Sequence, residues 1–352
     1  MTPQALASHT DCPLLPVIGG ELRVPLVNGS QTRYINLDYA ASAPALTAVA
    51  AHITEVLPLY ASVHRGAGYA SQISTAVYEN ARVVVGEFVG ARPADTVIFT
   101  RNTTDSLNLL ASVAPGETVV LDLEHHANLL PWIGSTAGAR VVRSADTFEA
   151  TLALLDAELA TRPAALLAIT GASNVTGEVL PLRRLATLAH RRGTRIAVDG
   201  AQLVPHRRVD IAALGIDYLA FSGHKTYAPF GTGVLVGRSD WFDAGAPYLL
   251  GGGAVTTVTL GGGRGATQAS TASVSLPVAT SNTKPRTESV SGMNGLALMR
   301  RIDWITSVAG SVKDSAAHGG RRPVSVTIDS VNWSSVNVMG NLGSGGTGNM
   351  VP

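Results

Sequence analysis

"DYLAFSGHKTYAPFGTGVLVG", residues 217–237, is the stretch that decides the fold. "DYLAFS" (217–222) is an apolar run that ends in a serine, and "GVLVG" (233–237) is a second run. Both are short and unbroken, as strands buried on both faces are. Between them lie Ser222, His224, Lys225 and a glycine-rich turn. A lysine there is either a solvated charge at a strand end or a nucleophile held in a pocket, and the rest of the chain decides which.

Upstream the pattern repeats. "TVIFT" (96–100), "TVVLDL" (118–123), "RVVR" (140–143), "ALLAIT" (165–170) and "RIAVD" (195–199) read as strands. "TTDSLNLLASVA" (103–114), "TFEATLALLDAELA" (147–160) and "PLRRLATLAHRRG" (181–193) read as amphipathic helices. Alternation of this kind predicts an α/β chain with a mostly parallel wound sheet flanked by helices. Ligands in such folds sit outside the carboxyl ends of the strands. Thr170, Asp199 and Ser222 fall at such ends. The arginine pairs at 183 and 191, with Arg207 and Arg208, read as solvated faces.

Hydrophobic residues make up 45% of the 352-residue chain and charged residues 14%, enough for a sizeable core. The 26 basic and 25 acidic residues leave a formal charge of +1, which gives no footprint for nucleic acid or a membrane surface. The single cysteine, Cys12, excludes a disulfide framework and a thiolate metal cluster. The start of the sequence lacks a signal-peptide pattern, and no apolar run is long enough to span a bilayer. The expectation is a soluble, cytoplasmic protein.

The chemistry gathers at the strand ends. A lysine amine in a dry pocket, or beside another cation, loses its proton and condenses with a carbonyl. Ser222 and His224 beside Lys225 offer short phosphate donors, and Thr103 and Thr104 stand at a helix N-terminus, where free N–H groups and the dipole favour an anion. "LEHHANLLPW" (123–132) sets His126 at a strand end, suited to stack on a flat ring. Asp199 ends its strand, where a buried carboxylate would keep a pyridinium nitrogen protonated. Phosphate donors, a stacking histidine, a carboxylate and a Schiff-base lysine together describe a site for pyridoxal 5'-phosphate. Plainer readings exist: Asp199 capping a turn at Gly200, Thr103 and Thr104 capping a helix. His125 and His126 have no third ligand at helical spacing, so no metal is expected.

Seven stretches then carry a family resemblance: "LDYAASAPA", "VHRGAGYAS", "FTRNTTDSLNLLA", "EHHANLLPW", "SNVTGEVLPL", "VDGAQLVPHRRVDI" and "DYLAFSGHKTYAPFGTGVL". In this order, over roughly residues 34 to 255, they resemble the class V aminotransferases of pyridoxal-phosphate fold type I, most of all the cysteine desulfurase and selenocysteine lyase branch. The resemblance implies that Lys225 forms the internal aldimine, Asp199 pairs with the ring nitrogen and Gln202 bonds the ring hydroxyl. It implies that His126 stacks on the ring and that Thr103, Thr104, Ser222 and His224 contact the phosphate. Asn174 would lie near the substrate and the ring hydroxyl, and His64 and Arg65 would border the substrate pocket. A homodimer is implied in the same way, as is an amino acid substrate handled through an external aldimine with C–S or C–Se cleavage. An epimerase resembling isopenicillin N epimerase is the alternative within the family, and a non-catalytic remnant that only binds the cofactor is the alternative outside it.

The expected organisation is an N-terminal arm (1–33), a cofactor-binding large domain (34–260) and an atypical Gly/Ser/Thr-rich segment (261–352). In that last segment "GLALMRRIDWITSVAG" reads as a short helix, "VSVTID" as a strand and "GNLGSGGTGNMVP" as a flexible end. It does not resemble the family's small domain. No motif singles out Arg300, Arg301, Arg321 or Arg322 as the substrate's carboxylate clamp, and no cysteine follows Cys12 to accept sulfur.

Overall fold

Each apolar run becomes a strand because its side chains find a packed layer on both faces. A computed structural model of the chain describes residues 15–249. Cys12, the glycines at 251–253 and 261–263, the four late arginines and the whole of segment 261–352 lie outside the described residues.

The chain opens with a small antiparallel pair, β1 (Arg23–Pro25) and β2 (Gln31–Arg33). Helices α1 (Thr47–Val56) and α2 (Tyr69–Phe88) follow. The alternating part then runs β3 (Asp95–Thr100), α3 (Thr103–Val113), β4 (Thr118–Leu121), α4 (Leu130–Ile133), β5 (Ala139–Val142) and α5 (Phe148–Thr161). It continues with β6 (Leu166–Thr170), α6 (Leu182–Arg191), β7 (Arg195–Asp199), α7 (Ile211–Leu214), β8 (Tyr218–Ser222), β9 (Gly233–Arg238) and α8 (Asp240–Ala244). Between residues 96 and 237 the elements expected from the sequence are present, with ends shifted by one or two residues, and the helix and strand expected later lie outside the described residues. Residues 15–95 were given no elements in advance.

Strands β3 to β9 form one seven-stranded sheet in the order β3-β9-β8-β7-β6-β4-β5. β9 is antiparallel to both β3 and β8, while β8, β7, β6, β4 and β5 pair in parallel, so only β9 runs against the rest. Alternate strand residues enter opposite cores. Leu167, Ile169, Ile196, Val198, Leu219 and Phe221 pack with Leu155 and Leu159 of α5 and Leu185 and Leu188 of α6. Leu166, Ala168, Ala197, Tyr218 and Ala220 pack with Leu107 and Leu110 of α3, Trp132 and Phe242. Two-sided burial is why the strands read as unbroken apolar runs.

α6 shows the opposite pattern, one apolar stripe. Leu182, Leu185, Ala186, Leu188 and Ala189 are buried, and its arginines face out. Arg184 forks onto Glu149 at 2.6 and 2.7 Å, tying the outer faces of α6 and α5 together. No helix among the described residues is long and apolar enough to cross a membrane.

Candidate active site

The three central strands β6, β7 and β8 end side by side in Thr170, Asp199 and Ser222. These ends border a cavity of about 350 Å³ whose lining includes Lys225. Lys225 closes a 3₁₀ turn, Gly223–Lys225, that begins where β8 stops. Gly223 is required there. A Cβ on it would overlap the Thr232 hydroxyl and come within 3.2 Å of the Thr232 carbonyl, to which the Gly223 N–H donates at 2.8 Å. The loop beyond is strained: Tyr227 (φ 61°) and Phe230 (φ 65°) are bulky residues in the left-handed region.

The "LDYAASAPA" stretch holds this turn from outside. Ala43 N–H donates to the His224 carbonyl (2.9 Å) and Leu46 N–H to the Tyr227 carbonyl (3.1 Å). Ser42 Oγ lies 3.2 Å from His224 Nδ1, and Gln202 Nε2 donates to the Ala40 carbonyl at 2.9 Å. Residues more than 160 positions apart thereby meet around one hole. Burial first, then the Lys225 charge, hold His224 below its ordinary pKa, so its imidazole is neutral at neutral pH.

Asp199 is buried at the inner end. Its Oδ1 accepts the Ala201 N–H at 2.9 Å. Burial pushes the carboxyl up, and the Ala201 amide, His125 and Lys225 pull back towards the anion without cancelling the rise. Among the described residues Asp199 has no ion-pair partner within salt-bridge distance.

Thr103 and Ser222 are joined directly. The Thr103 N–H donates to Ser222 Oγ at 2.8 Å, and the two hydroxyls lie 2.6 Å apart. The bond docks the first residue of α3 onto the end of β8, while Asn102 caps the helix by accepting the Asp105 N–H. Thr104, Asn174, Gln202 and His224 also line the cavity. A helix N-terminus, two threonines and a serine therefore converge on one side of it.

Three of the expected site residues, His126, His64 and Arg65, lie outside the lining of the Lys225 cavity. Of the adjacent histidines, His125 lines the Lys225 cavity, whereas His126 lines only a neighbouring, wider one of about 960 Å³. His125 is extended (φ −60°, ψ 145°) and the chain coils into a 3₁₀ turn at His126, and the two rings lie 5.9 Å apart, tilted at 50°. His125 Nδ1 accepts the Ala127 N–H at 3.1 Å, which leaves the proton of the neutral ring on Nε2. His64 and Arg65 are not in the lining at all. His64 sits at φ 62° with Nε2 2.8 Å from Glu79 Oε1, drawn away towards α2.

One buried group went unread in the sequence. Glu124, just before the histidine pair, is buried against Asn128, whose Nδ2 donates to Oε2 at 2.7 Å. Its signal was the spacing Glu124, Asn128, Trp132, three polar-tipped residues four apart.

With the geometry in hand, three kinds of similarity bear on the chain. Residues 35–280 match the Aminotransferase class-V family. A cysteine desulfurase of Dickeya dadantii is 40% identical over 246 residues, covering 66% of this chain and 59% of that protein. One of Haloferax volcanii is 38% identical over 267 residues, covering 72% and 63%. The chain thus spans about three-fifths of the length of these relatives. Among solved structures, the apo cysteine desulfurase of Thermococcus onnurineus NA1 superposes with a TM-score of 0.57 at 34% identity, over 63% of this chain and 58% of that one. The Escherichia coli cysteine desulfurase CsdA gives 0.55 at 38% identity, over 64% and 59%. The wound sheet, the motif order and these matches agree: the chain belongs to the class-V aminotransferase family.

Proposed function

We propose that the Lys225 cavity holds pyridoxal phosphate and that the chain uses it to break a carbon–sulfur or carbon–selenium bond in a small amino acid. The observation that carries this reading is the convergence of a lysine, a buried aspartate, an imidazole and a cluster of hydroxyls on one cavity. The fit is physical. The volume lies in the range of roughly 300–1,000 Å³ usual for small ligands, and Asp199, without an ion-pair partner, suits a cationic ring nitrogen. Thr103, Thr104, Ser222, His224 and the start of α3 suit a phosphate. Bound there, the cofactor supplies an aldehyde for an amine and a ring that stores the charge left at a substrate's Cα.

The chain's own groups divide the remaining work. Lys225 Nζ is the amine that would hold the cofactor, and once displaced by substrate it is placed to move the Cα proton as base and then acid. Asp199 supplies the fixed negative charge for the ring nitrogen. We assign to His125 the ring-facing role that the sequence gave to His126, because His125 is the one in the lining and its Nε2 is free to donate. Asn174 and Gln202 border the remaining wall. The wider cavity shares Thr104, His125 and Ala127 with this one, which offers a substrate a way in. The similarity to cysteine desulfurases favours a chalcogen-bearing substrate. The same reading takes the protein as a cytoplasmic homodimer.

The test is covalent capture. The purified chain, given the cofactor and reduced with borohydride, is expected to carry it on the peptide holding Lys225. Lys225→Ala is expected to capture none. Capture on another residue, or undiminished capture by the variant, overturns the assignment. Release of sulfide or selenide, set against inversion at Cα, separates cleavage from epimerisation.

A further inference from the structure

From Glu124 into α4 runs a buried polar chain that the reaction above does not use. Glu124 Oε2 accepts from Asn128 Nδ2 at 2.7 Å, and Asn128 Oδ1 accepts the Trp132 indole N–H at 3.1 Å. Asn128 and Trp132 are wholly buried, and Glu124 is 6% exposed. The carboxyl is thus fixed on one side by a rigid relay that passes from the 3₁₀ turn into α4. Its other oxygen, Oε1, is buried without a hydrogen-bond partner. Among the described residues no cation pairs with Glu124.

Two enclosed carboxyl groups that feel each other resist ionising together. Their surroundings separate them. Asp199 has the Ala201 amide, His125 and Lys225 favouring its anion. Glu124 has the Asn128 amide and, more weakly, the Thr170 amide, but no cation, and the Asp199 charge opposes its ionisation. An unpartnered oxygen is tolerated far better on a neutral acid than on an anion.

We propose that Glu124 is a positioning residue of this site, an acid that carries its own proton and so adds no second negative charge to the one assigned to Asp199. Its consequence for catalysis rests on the reading of Asp199 as the partner of a cationic ring nitrogen. The proton itself is a property of the chain alone. Burial, with a contribution from Asp199, pushes the Glu124 carboxyl up to about 8.

The linkage has a definite sign. A carboxyl whose folded value lies above its unfolded value of about 4.3 contributes full stability below that value and loses it as pH rises towards 8. Wild-type stability is therefore expected to decline across pH 5 to 8 with a slope of up to one proton more than that of Glu124→Gln.

The deciding experiment is infrared titration of the cofactor-free chain from pH 6 to 9. The wild type is expected to show a protonated-carboxyl stretch that disappears near pH 8. Glu124→Gln should lack that band. Asp199→Asn should keep it and titrate it at lower pH, because the opposing charge is gone. A band that survives in Glu124→Gln, or is abolished in Asp199→Asn, assigns the proton to Asp199 and overturns the proposal; so does a wild type with no such band. If Glu124→Gln does not fold, the wild-type and Asp199→Asn titrations still decide. Borohydride capture on Lys225, measured separately, reports on the cofactor reading, so the two can fail independently.

Discussion

His125 and His126 are adjacent in the chain, yet only one lines the Lys225 cavity. At the step from extended backbone into a 3₁₀ turn, His125 borders both cavities and His126 only the wider one. The kinetic expectation follows from that geometry. His125→Ala should lower turnover by about 10²-fold or more, the range for loss of a positioned acid–base or polarising group, while His126→Ala should change it only a few-fold. Steady-state rates on both variants, with cofactor content measured alongside, check this. Equal losses would mean that both rings act. The placement of Asp199 at a strand end and of Lys225 in the turn after one was legible because the apolar runs mark where the strands stop, and the ends of parallel strands are where such folds keep their chemistry. Glu124 was not legible, because a carboxylate next to two histidines reads as polar surface until the packing encloses it.

At the scale of elements, the turn Gly223–Lys225 is set by three neighbours: the end of β8, the start of β9 at Thr232–Gly233 and the outer stretch around Ala43. Gly223 lets them approach. Gly223→Ala would force the new methyl against the Thr232 hydroxyl, and relief requires the turn or β9 to move. We expect a loss of roughly 1–3 kcal/mol in unfolding free energy, the usual cost of overpacking, with weaker borohydride capture because Lys225 moves with the turn. Urea unfolding and capture stoichiometry are the measurements. Unchanged values for both would show that the turn relaxes freely. The strands and helices of this region were legible because their periods differ, two-sided apolar runs against one-sided stripes. Helices α1 and α2 were not read: α1 buries no residue fully and α2 buries only Ser71 and Ser74, so neither shows a strong stripe.

The sheet as a whole is pinned by Asp217, whose side chain is almost fully buried at the start of β8. It accepts from His190 Nε2 (2.7 Å), the Ile196 N–H (3.0 Å) and Arg238 Nε (2.6 Å), linking α6, β7 and β9. Burial alone would push its carboxyl up; these three bonds outweigh burial and hold it below its ordinary value. A depressed carboxyl contributes stability above its unfolded value of about 3.9 and loses it as pH falls through the folded value. Asp217→Asn should therefore cost roughly 2–3 kcal/mol at pH 7, less than for a fully enclosed pair because His190 and Arg238 reach solvent. The gap to wild type should close below pH 4, and urea midpoints at both pH values test it. By itself the sequence determined the elements of residues 96–237, the wound α/β class and the placement of Asp199 and Ser222 at strand ends and of Thr103 at a helix start, because hydrophobic period and strand-end position are local properties of the chain. Tertiary structure alone decided that β9 runs against its neighbours, that His125 and not His126 lines the cavity with Lys225, that His64 pairs with Glu79, and that Glu124 lies enclosed against Asn128. Those outcomes depend on which surfaces close over a group, and enclosure is set by residues far away in sequence.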